Sequence, residues 1–244
     1  KAVIGVENNK SDAIAHLSKL AAGYKGIEVM PLKVRYPQGG EKQLIDAVIK
    51  RQVKSGALPI STGAIVQNVG TAYAIYEAVQ KNKPLFERVV TVTGKAVAKP
   101  SNLLVRIGTP IANLIEAAGG LPENTGKIIG GGPMMGKALI SADVPVTKGS
   151  SGVLLLTREE SVRKPMSNCI RCAKCVNACP MGLVPSLLMN ATEFKNWELA
   201  EKNHITDCIE CGSCSYTCPA NRPLLDNIRF GKGKVMAIIR ARKS

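Results

Sequence analysis

All eight cysteines of this 244-residue chain fall into two copies of one pattern. In each copy the cysteines stand at positions i, i+3, i+6 and i+10, and a proline follows the fourth. Three thiolates so close in sequence can wrap a short loop around three corners of an inorganic cube, which leaves the fourth iron to a more distant cysteine. The pattern therefore predicts two [4Fe–4S] clusters and one-electron chemistry. The two copies are Cys169, Cys172, Cys175, Cys179, Pro180 and Cys208, Cys211, Cys214, Cys218, Pro219.

The repeated pattern resembles that of bacterial ferredoxins, in which the fourth cysteine of each copy binds the other cluster. We therefore expect a crossed arrangement. The first cluster would be held by Cys169, Cys172, Cys175 and Cys218, and the second by Cys208, Cys211, Cys214 and Cys179. Ala173 and Gly212 are small residues inside the two loops, and we expect them to let backbone N–H groups approach the cysteine sulfurs.

Zinc and disulfides are the alternative uses of these cysteines. Structural zinc sites use two C-x2-C pairs set apart, often with histidine, and do not need a third cysteine three residues further on. Disulfide frameworks are typical of small secreted domains, whereas these cysteines are confined to the last third of the chain and no signal peptide is recognisable. Iron–sulfur clusters are the favoured interpretation, and their sensitivity to oxygen indicates the cytoplasm or a surface facing it.

The amino-acid composition limits the kinds of molecule that this chain can be expected to bind. The formal charge is +15 and 45% of the residues are hydrophobic, which is ample for folded cores. Aromatic residues make up only 4%, so stacking platforms for nucleic acid are scarce, and we expect no nucleic-acid binding. No apolar stretch approaches the ~20 residues of a membrane span, so any membrane contact is expected to be peripheral. A basic surface suits acidic redox partners or anionic lipid.

The first 84 residues alternate strand and helix. The pattern predicts strands at residues 2–6 and 27–32, a capped helix from Ser11 to about residue 22, and a helix over 42–54. A third apolar segment at residues 64–66 leads into a helix from about 72 to 80. This alternation indicates an α/β domain. Because Lys1 stands at the start of an apolar strand with no turn before it, we expect this domain to be truncated.

Short strands replace this pattern from residue 85 onward. Strands are expected near residues 88–93, 103–107 and 127–129, with a helix at 111–118, and together they suggest a β-grasp insert over 85–137. Residues 138–164 would form a return strand and a linker. The ferredoxin-type domain would cover 165–244 and be α-helical, with helices expected at 194–202 and 235–240.

The order of these parts, together with the segment Gly130-Gly131-Gly132-Pro133-Met134-Met135-Gly136, resembles the C subunit of the Rnf (Rsx) electron transport complex. The first part is also similar to the NADH-binding flavoprotein subunit of respiratory complex I. The resemblance implies a Rossmann-like flavoprotein domain, a soluble-ligand-binding β-grasp domain and a two-cluster ferredoxin domain. It also implies FMN and NADH as cofactors in the full-length protein, and a location at the cytoplasmic face of the bacterial inner membrane.

In this family FMN takes hydride from NADH and passes single electrons to iron–sulfur clusters. The family's glycine-rich flavin loop would precede Lys1, so we expect weak or absent FMN binding by this chain. The resemblance assigns the remaining pocket wall to Glu7, Asn8, Lys10, Gly39, Gly40, Glu41, Lys42, Asn68, Gly70 and Thr71. The alternatives are an ordinary loop before a helix at Gly39 and Gly40, and an ordinary helix N-terminus at Asn68 to Thr71.

Two classes of function remain. The first is an NADH-oxidising electron-input subunit, which passes electrons to other subunits of a membrane complex and can exchange them with ferredoxin, while ion transport is coupled elsewhere. A cobalamin reductase of the propanediol-utilisation type has the same domain order and is the alternative enzyme. The second class is a non-catalytic iron–sulfur relay. No residue of this chain is assigned a catalytic role.

Overall fold

The structure is a computed structural model that describes residues 1–242; residues 243 and 244, at the end of the expected ferredoxin-type domain, lie outside the described part. The strands are β1 Ala2–Glu7, β2 Ile27–Leu32, β3 Glu87–Thr93, β4 Ser101–Arg106, β5 Thr125–Gly130, β6 Lys137–Ala138 and β7 Gly152–Thr157. The α-helices are α1 Ser11–Ala21, α2 Glu41–Ile49, α3 Val69–Lys81, α4 Ile111–Ala117, α5 Arg158–Ser161, α6 Lys174–Asn177, α7 Pro185–Glu193, α8 Trp197–Lys202, α9 Ser213–Tyr216 and α10 Leu224–Ala241.

The chain forms two compact units, each built from separate segments. The first unit combines residues 1–67 and 173–217 with the chain from residue 224 onward. The second unit combines residues 68–172 with the short segment 218–223. No helix in residues 1–242 combines the length and the apolar character needed to cross a membrane.

A pair of parallel strands and a group of helices make up the first unit. β1 and β2 pair in parallel, with Ala2 opposite Ile27 and Glu7 opposite Leu32, and α1 provides the crossover. The helices α7, α8 and α10 belong to the same unit and contribute its fully buried apolar residues, which include Leu188, Met189, Ala200, Ile228 and Val235. The predicted strands at residues 2–6 and 27–32 are confirmed.

The second unit contains a five-stranded mixed sheet with the strand order β4-β3-β7-β5-β6. β7 lies at its centre, parallel to β3 and antiparallel to β5. The core joins the inward residues of these strands, such as Val90 and Leu155, to Ile111, Leu114 and Ile115 of α4. The return strand expected within residues 138–164 is therefore β7, the middle strand of this sheet.

Two predictions in the first part of the chain were wrong. The helix expected over residues 42–54 ends at Ile49, because Lys50 adopts a left-handed conformation with φ of 56°. Residues 64–66 form no strand, and Ile65 is 72% exposed, so this apolar segment lacks the burial that stabilises a strand. The described part of this region therefore contains two strands where the sequence suggested three.

The limits of three helices and the cap of a fourth also differ from the predictions. α1 has no side-chain cap, since Lys10 occupies the N-cap position and Ser11 is already helical. α3 begins at Val69, three residues earlier than expected. α8 begins at Trp197 rather than at residue 194, because Lys195 is left-handed with φ of 54°. The last helix, α10, starts eleven residues before the predicted residue 235.

Candidate metal centre

Four cysteines of the first unit line one cavity of about 350 Å³, counted with the solvent at its mouth. They are Cys179, Cys208, Cys211 and Cys214, the set expected to hold the second cluster. The remaining wall is mostly apolar and consists of Pro180, Met181, Leu183, Pro185, Leu188, Ile209, Gly212, Leu225 and Ile228. The cavity therefore combines four sulfur donors with a mostly apolar lining.

The donor set of this cavity suits a group larger than one ion. Within residues 1–242, no three His, Cys, Asp or Glu side chains are grouped as a single metal ion requires. A zinc ion would draw its sulfur ligands to within about 2.3 Å of itself. Four thiolates spaced around a cavity, with no nitrogen or oxygen ligand among them, fit a [4Fe–4S] cluster instead.

Burial disfavours the thiolate form of two of these cysteines, Cys208 and Cys214. It raises the pKa of Cys214 to about 12, and the neighbouring Cys208 adds to the effect. Burial also raises the pKa of Cys208, although the N–H of Glu210 and the charge of Lys232 act in the opposite direction. Metal ligation needs thiolates, so loading this cavity must release protons, and the positive charge of iron must offset the cost of burying the sulfurs.

The backbone of the second cysteine loop makes tight turns around the cavity. Glu210 and Gly212 both have positive φ, of 59° and 83°, and Gly212 leads directly into the one-turn helix α9. The N–H of Glu210 lies 3.4 Å from the sulfur of Cys208. An N–H to sulfur contact of the expected kind is thus present, and it comes from the residue two positions before the glycine.

The first cysteine loop repeats this backbone path. Arg171 and Ala173 have φ of 55° and 59°, and they stand 39 residues before Glu210 and Gly212. Alanine at such a position is strained where glycine is not. The recurrence of the same conformation in both loops indicates that it belongs to the cysteine pattern itself.

The cysteines expected to hold the first cluster are divided between the units. Cys169, Cys172 and Cys218 belong to the second unit and Cys175 to the first. Inside the second unit, the N–H of Ser167 donates to the carbonyl of Ala220 at 3.0 Å, and the Asn221 side chain donates to the carbonyl of Pro165 at 3.1 Å. These two bonds tie the segment after Cys218 to the segment before Cys169, as a crossed arrangement requires. The assignment of the first cluster stays a prediction.

The loop after β2 contacts the second cysteine loop within the first unit. The hydroxyl of Tyr36 donates to the carbonyl of Cys211 at 2.7 Å. The side-chain amide of Gln43 lies 3.0 Å from the sulfur of Met181, and Lys42 lies 3.8 Å from Asp207. Sequence reasoning did not identify Tyr36 or Gln43, because neither carries a motif of its own.

The residues expected at a flavin pocket include several in the first unit. Lys10 forms an exposed ion pair with Glu7 at 2.8 Å, directly after β1, where Asn8 also stands. Gly40 is the N-cap of α2, and a Cβ there would meet the side-chain oxygen of Gln43 at 2.6 Å. A Cβ at Gly39 would meet no other atom within 4 Å. Glu41 is the first residue of α2, and Lys42 forms an ion pair with Asp207.

Asn68, Gly70 and Thr71 lie in the second unit at the start of α3. The side chain of Asn68 accepts a hydrogen bond from the N–H of Gly70 at 2.9 Å. This contact is an ordinary helix cap, so the alternative of a plain helix N-terminus accounts for Asn68. The roles of all ten residues in flavin binding stay predictions.

Three domain families match successive parts of the chain. Residues 1–77 match the Nuo51 FMN-binding domain, residues 89–138 match the SLBB domain, and residues 161–219 match the 4Fe-4S dicluster domain. These matches support a chain of α/β, SLBB and iron–sulfur parts in the predicted order. The finer descriptions, a truncated Rossmann-like domain and a β-grasp insert, and the exact domain limits stay predictions.

Curated relatives match the chain along almost its whole length. It is 46% identical over 237 residues to the C subunit of the Na⁺-translocating ferredoxin:NAD⁺ oxidoreductase complex of Acetobacterium woodii, and 47% identical over 235 residues to the C subunit of the proton-translocating complex of Clostridium ljungdahlii. The C subunit of the ion-translocating oxidoreductase complex of Yersinia enterocolitica is 43% identical. These alignments cover 96–97% of the chain but only 54%, 51% and 34% of the relatives. The chain thus spans about half the length of the first two.

Proposed function

Since the chain belongs, over the 237 residues that align, to the C-subunit family of ion-translocating oxidoreductase complexes, we propose that it carries electrons between NADH and FMN on one side and a membrane-bound redox complex on the other. Two [4Fe–4S] clusters would be the carriers, and ion transport would be coupled in other subunits. The observation that supports this most directly is that Cys179, Cys208, Cys211 and Cys214 line the same cavity.

Within this proposal, FMN and the clusters supply the conversion of a two-electron donor into single electrons. The protein's own residues hold these groups and control their surroundings. The four thiols provide the ligands, the apolar wall around Leu188, Leu225 and Ile228 keeps water away, and Tyr36 fixes the carbonyl of Cys211. The first cluster would use Cys169, Cys172, Cys175 and Cys218.

The proposed flavin wall lies at the carboxyl ends of parallel strands. Glu7, Asn8 and Lys10 follow β1, and the loop with Gly39 and Gly40 follows β2. Ligands of α/β folds bind at this edge of a parallel sheet, where helix N-termini also point. The match of residues 1–77 to an FMN-binding domain supports the same location. Glu41, Lys42, Asn68, Gly70 and Thr71 would complete the wall.

Partners and location follow from the same proposal. Other subunits of the membrane complex would bind the protein, NADH would be its electron donor or product, and ferredoxin would exchange electrons with the complex. The protein would then lie at the cytoplasmic face of the bacterial inner membrane, attached through its partners. An enzyme of the cobalamin-reductase type and a relay without flavin chemistry are the competing functions.

Anaerobic reconstitution of the full-length protein with iron, sulfide and FMN tests the proposal. Adding NADH should produce the paramagnetic signals of reduced [4Fe–4S] clusters. Clusters that dithionite reduces but NADH does not would instead identify a relay. In the variant Cys214→Ser the cluster iron should fall to about half, because one of two four-iron clusters loses a ligand. The matched control is Tyr216→Phe, since Tyr216 is 81% exposed between two of the cysteines.

A further inference from the structure

Helix α10 directs two basic side chains at the second cysteine loop. The Nζ of Lys232 donates to the carbonyl of Cys208 at 2.6 Å and lies 3.2 Å from a carboxylate oxygen of Glu210. The Nε of Arg229 lies 3.1 Å from the other oxygen of Glu210. The Lys232 side chain is only 20% exposed, so its charge is poorly screened by solvent. The ammonium group of Lys232 is therefore hydrogen-bonded to Cys208, a residue that lines the cavity.

The corresponding positions of the first repeat carry the opposite charges. The two cysteine loops are 39 residues apart, and so are the starts of α7 at Pro185 and α10 at Leu224. At this spacing, Arg171 replaces Glu210 and Glu193 replaces Lys232. The helix position that holds a cation in the second repeat thus holds an acid in the first.

The positive charge of Lys232 would affect how easily a cluster in the cavity is reduced. A [4Fe–4S] cluster gains one negative charge when it takes up one electron, and no bond forms or breaks. A fixed positive charge nearby stabilises the reduced form more than the oxidised form, and this raises the reduction potential. Net charge, hydrogen bonds to the sulfurs and solvent exposure are the factors by which a protein sets this potential, and Lys232 contributes to the net charge at the second loop.

We propose that Lys232 is a positioning residue that raises the reduction potential of the second cluster. This inference rests on the proposed function, because it requires a cluster in the cavity of Cys179, Cys208, Cys211 and Cys214. Glu210 opposes Lys232, since its carboxylate brings a negative charge to the same loop.

The test is a redox titration of the reconstituted full-length protein, with dithionite as the electron source and the cluster signals followed by EPR. In Lys232→Met, which keeps the length of the side chain and removes its charge, the ratio of reduced to oxidised second cluster should fall about tenfold at a fixed potential. This corresponds to a midpoint lower by about 59 mV for a one-electron couple. The other midpoint should not move, and Lys232→Arg should stay close to the wild type.

Glu210→Gln gives the variant with the opposite sign. Removing its negative charge should raise the same midpoint that Lys232→Met lowers, whereas a disturbance of the loop alone would have no reason to reverse direction. An unmoved midpoint in Lys232→Met, or shifts of one sign in both variants, would overturn the inference. Iron analysis separates this result from failure of the proposed function: a wild-type protein that never assembles the second cluster refutes both.

Discussion

Two glycines of α10 should respond in opposite ways to the same substitution. Gly231 is buried, and a Cβ there would overlap the hydroxyl of Thr192 in α7 and lie 3.0 Å from the Cδ1 of Ile205. Gly233 has no atom within 4 Å of the same position. Alanine improves helix propensity by about 1 kcal/mol at either site, but overpacking costs about 1–3 kcal/mol where the space is filled. The gain is common to both, so the difference between the variants isolates the overpacking.

We expect Gly233→Ala to be more stable than Gly231→Ala by about 2 kcal/mol. For a chain of this size, that corresponds to a difference in Tm of about 4–8 °C. Thermal unfolding of the reconstituted protein under anaerobic conditions, followed by circular dichroism and by cluster absorbance, measures it. Both readouts should change together, because Leu188 of α7 and Leu225 of α10 line the cysteine cavity.

A double mutant tests the named contact. Thr192 is 3% exposed and its hydroxyl has no hydrogen-bond partner in the described structure, so Thr192→Ala removes the overlapping atoms without breaking a bond. Adding Thr192→Ala to Gly231→Ala should recover about 1 kcal/mol or more beyond the additive value. Equal stability of the two glycine variants, or strict additivity in the double mutant, would refute this account of how α7 and α10 pack.

Two further predictions concern the second cysteine loop. Tyr36→Phe should lower the free energy of unfolding by about 0.5–1.5 kcal/mol, because it removes the hydrogen bond to the Cys211 carbonyl. The control is Tyr24→Phe, at a residue that is 65% exposed. Equal losses of stability in the two variants, measured by thermal unfolding, would contradict this reasoning. In protein stripped of iron, Cys214 has a pKa of about 12 and an unfolded thiol one of about 8.5, so unfolding releases a proton between these values. Stability should therefore fall as pH rises from about 8.5 to 12, and mass spectrometry after alkylation should find the exposed Cys169 labelled well before Cys214.

Local patterns predicted most of the elements, and the errors have local causes. The helix α10 was underestimated because Gly231 and Gly233 interrupt its apolar periodicity, although the first of them is needed for close packing against α7. The start of α8 was misplaced because Phe194 continues the helical pattern but is 83% exposed beside the left-handed Lys195. Periodicity records which residues can be buried and does not record which of them find a partner.

The cysteine spacing grouped the four cysteines that line the cavity, whereas the side chains around that cavity could not be predicted. Tyr36 and Cys211 are 175 residues apart, and Gln43 and Met181 are 138 apart. Contacts at such separations depend on the assembled fold, because no short pattern in the sequence encodes them. Lys232 differs from Tyr36 and Gln43 in this respect, because aligning the two cysteine repeats in the sequence places Lys232 opposite Glu193.

The division of the first unit between distant segments determines when it can fold during synthesis. At about 5–20 residues per second, the ribosome needs roughly 10–35 s to pass from Tyr36 to Cys211. For most of that interval β1, β2 and α2 have been made, while Met181 and Asp207, which contact α2, are still to come. Most of the second unit is one continuous stretch, residues 68–172, so it can fold while the first unit waits. The early strands are then exposed to proteases and chaperones for many seconds, until the segments that complete the cysteine cavity have been made.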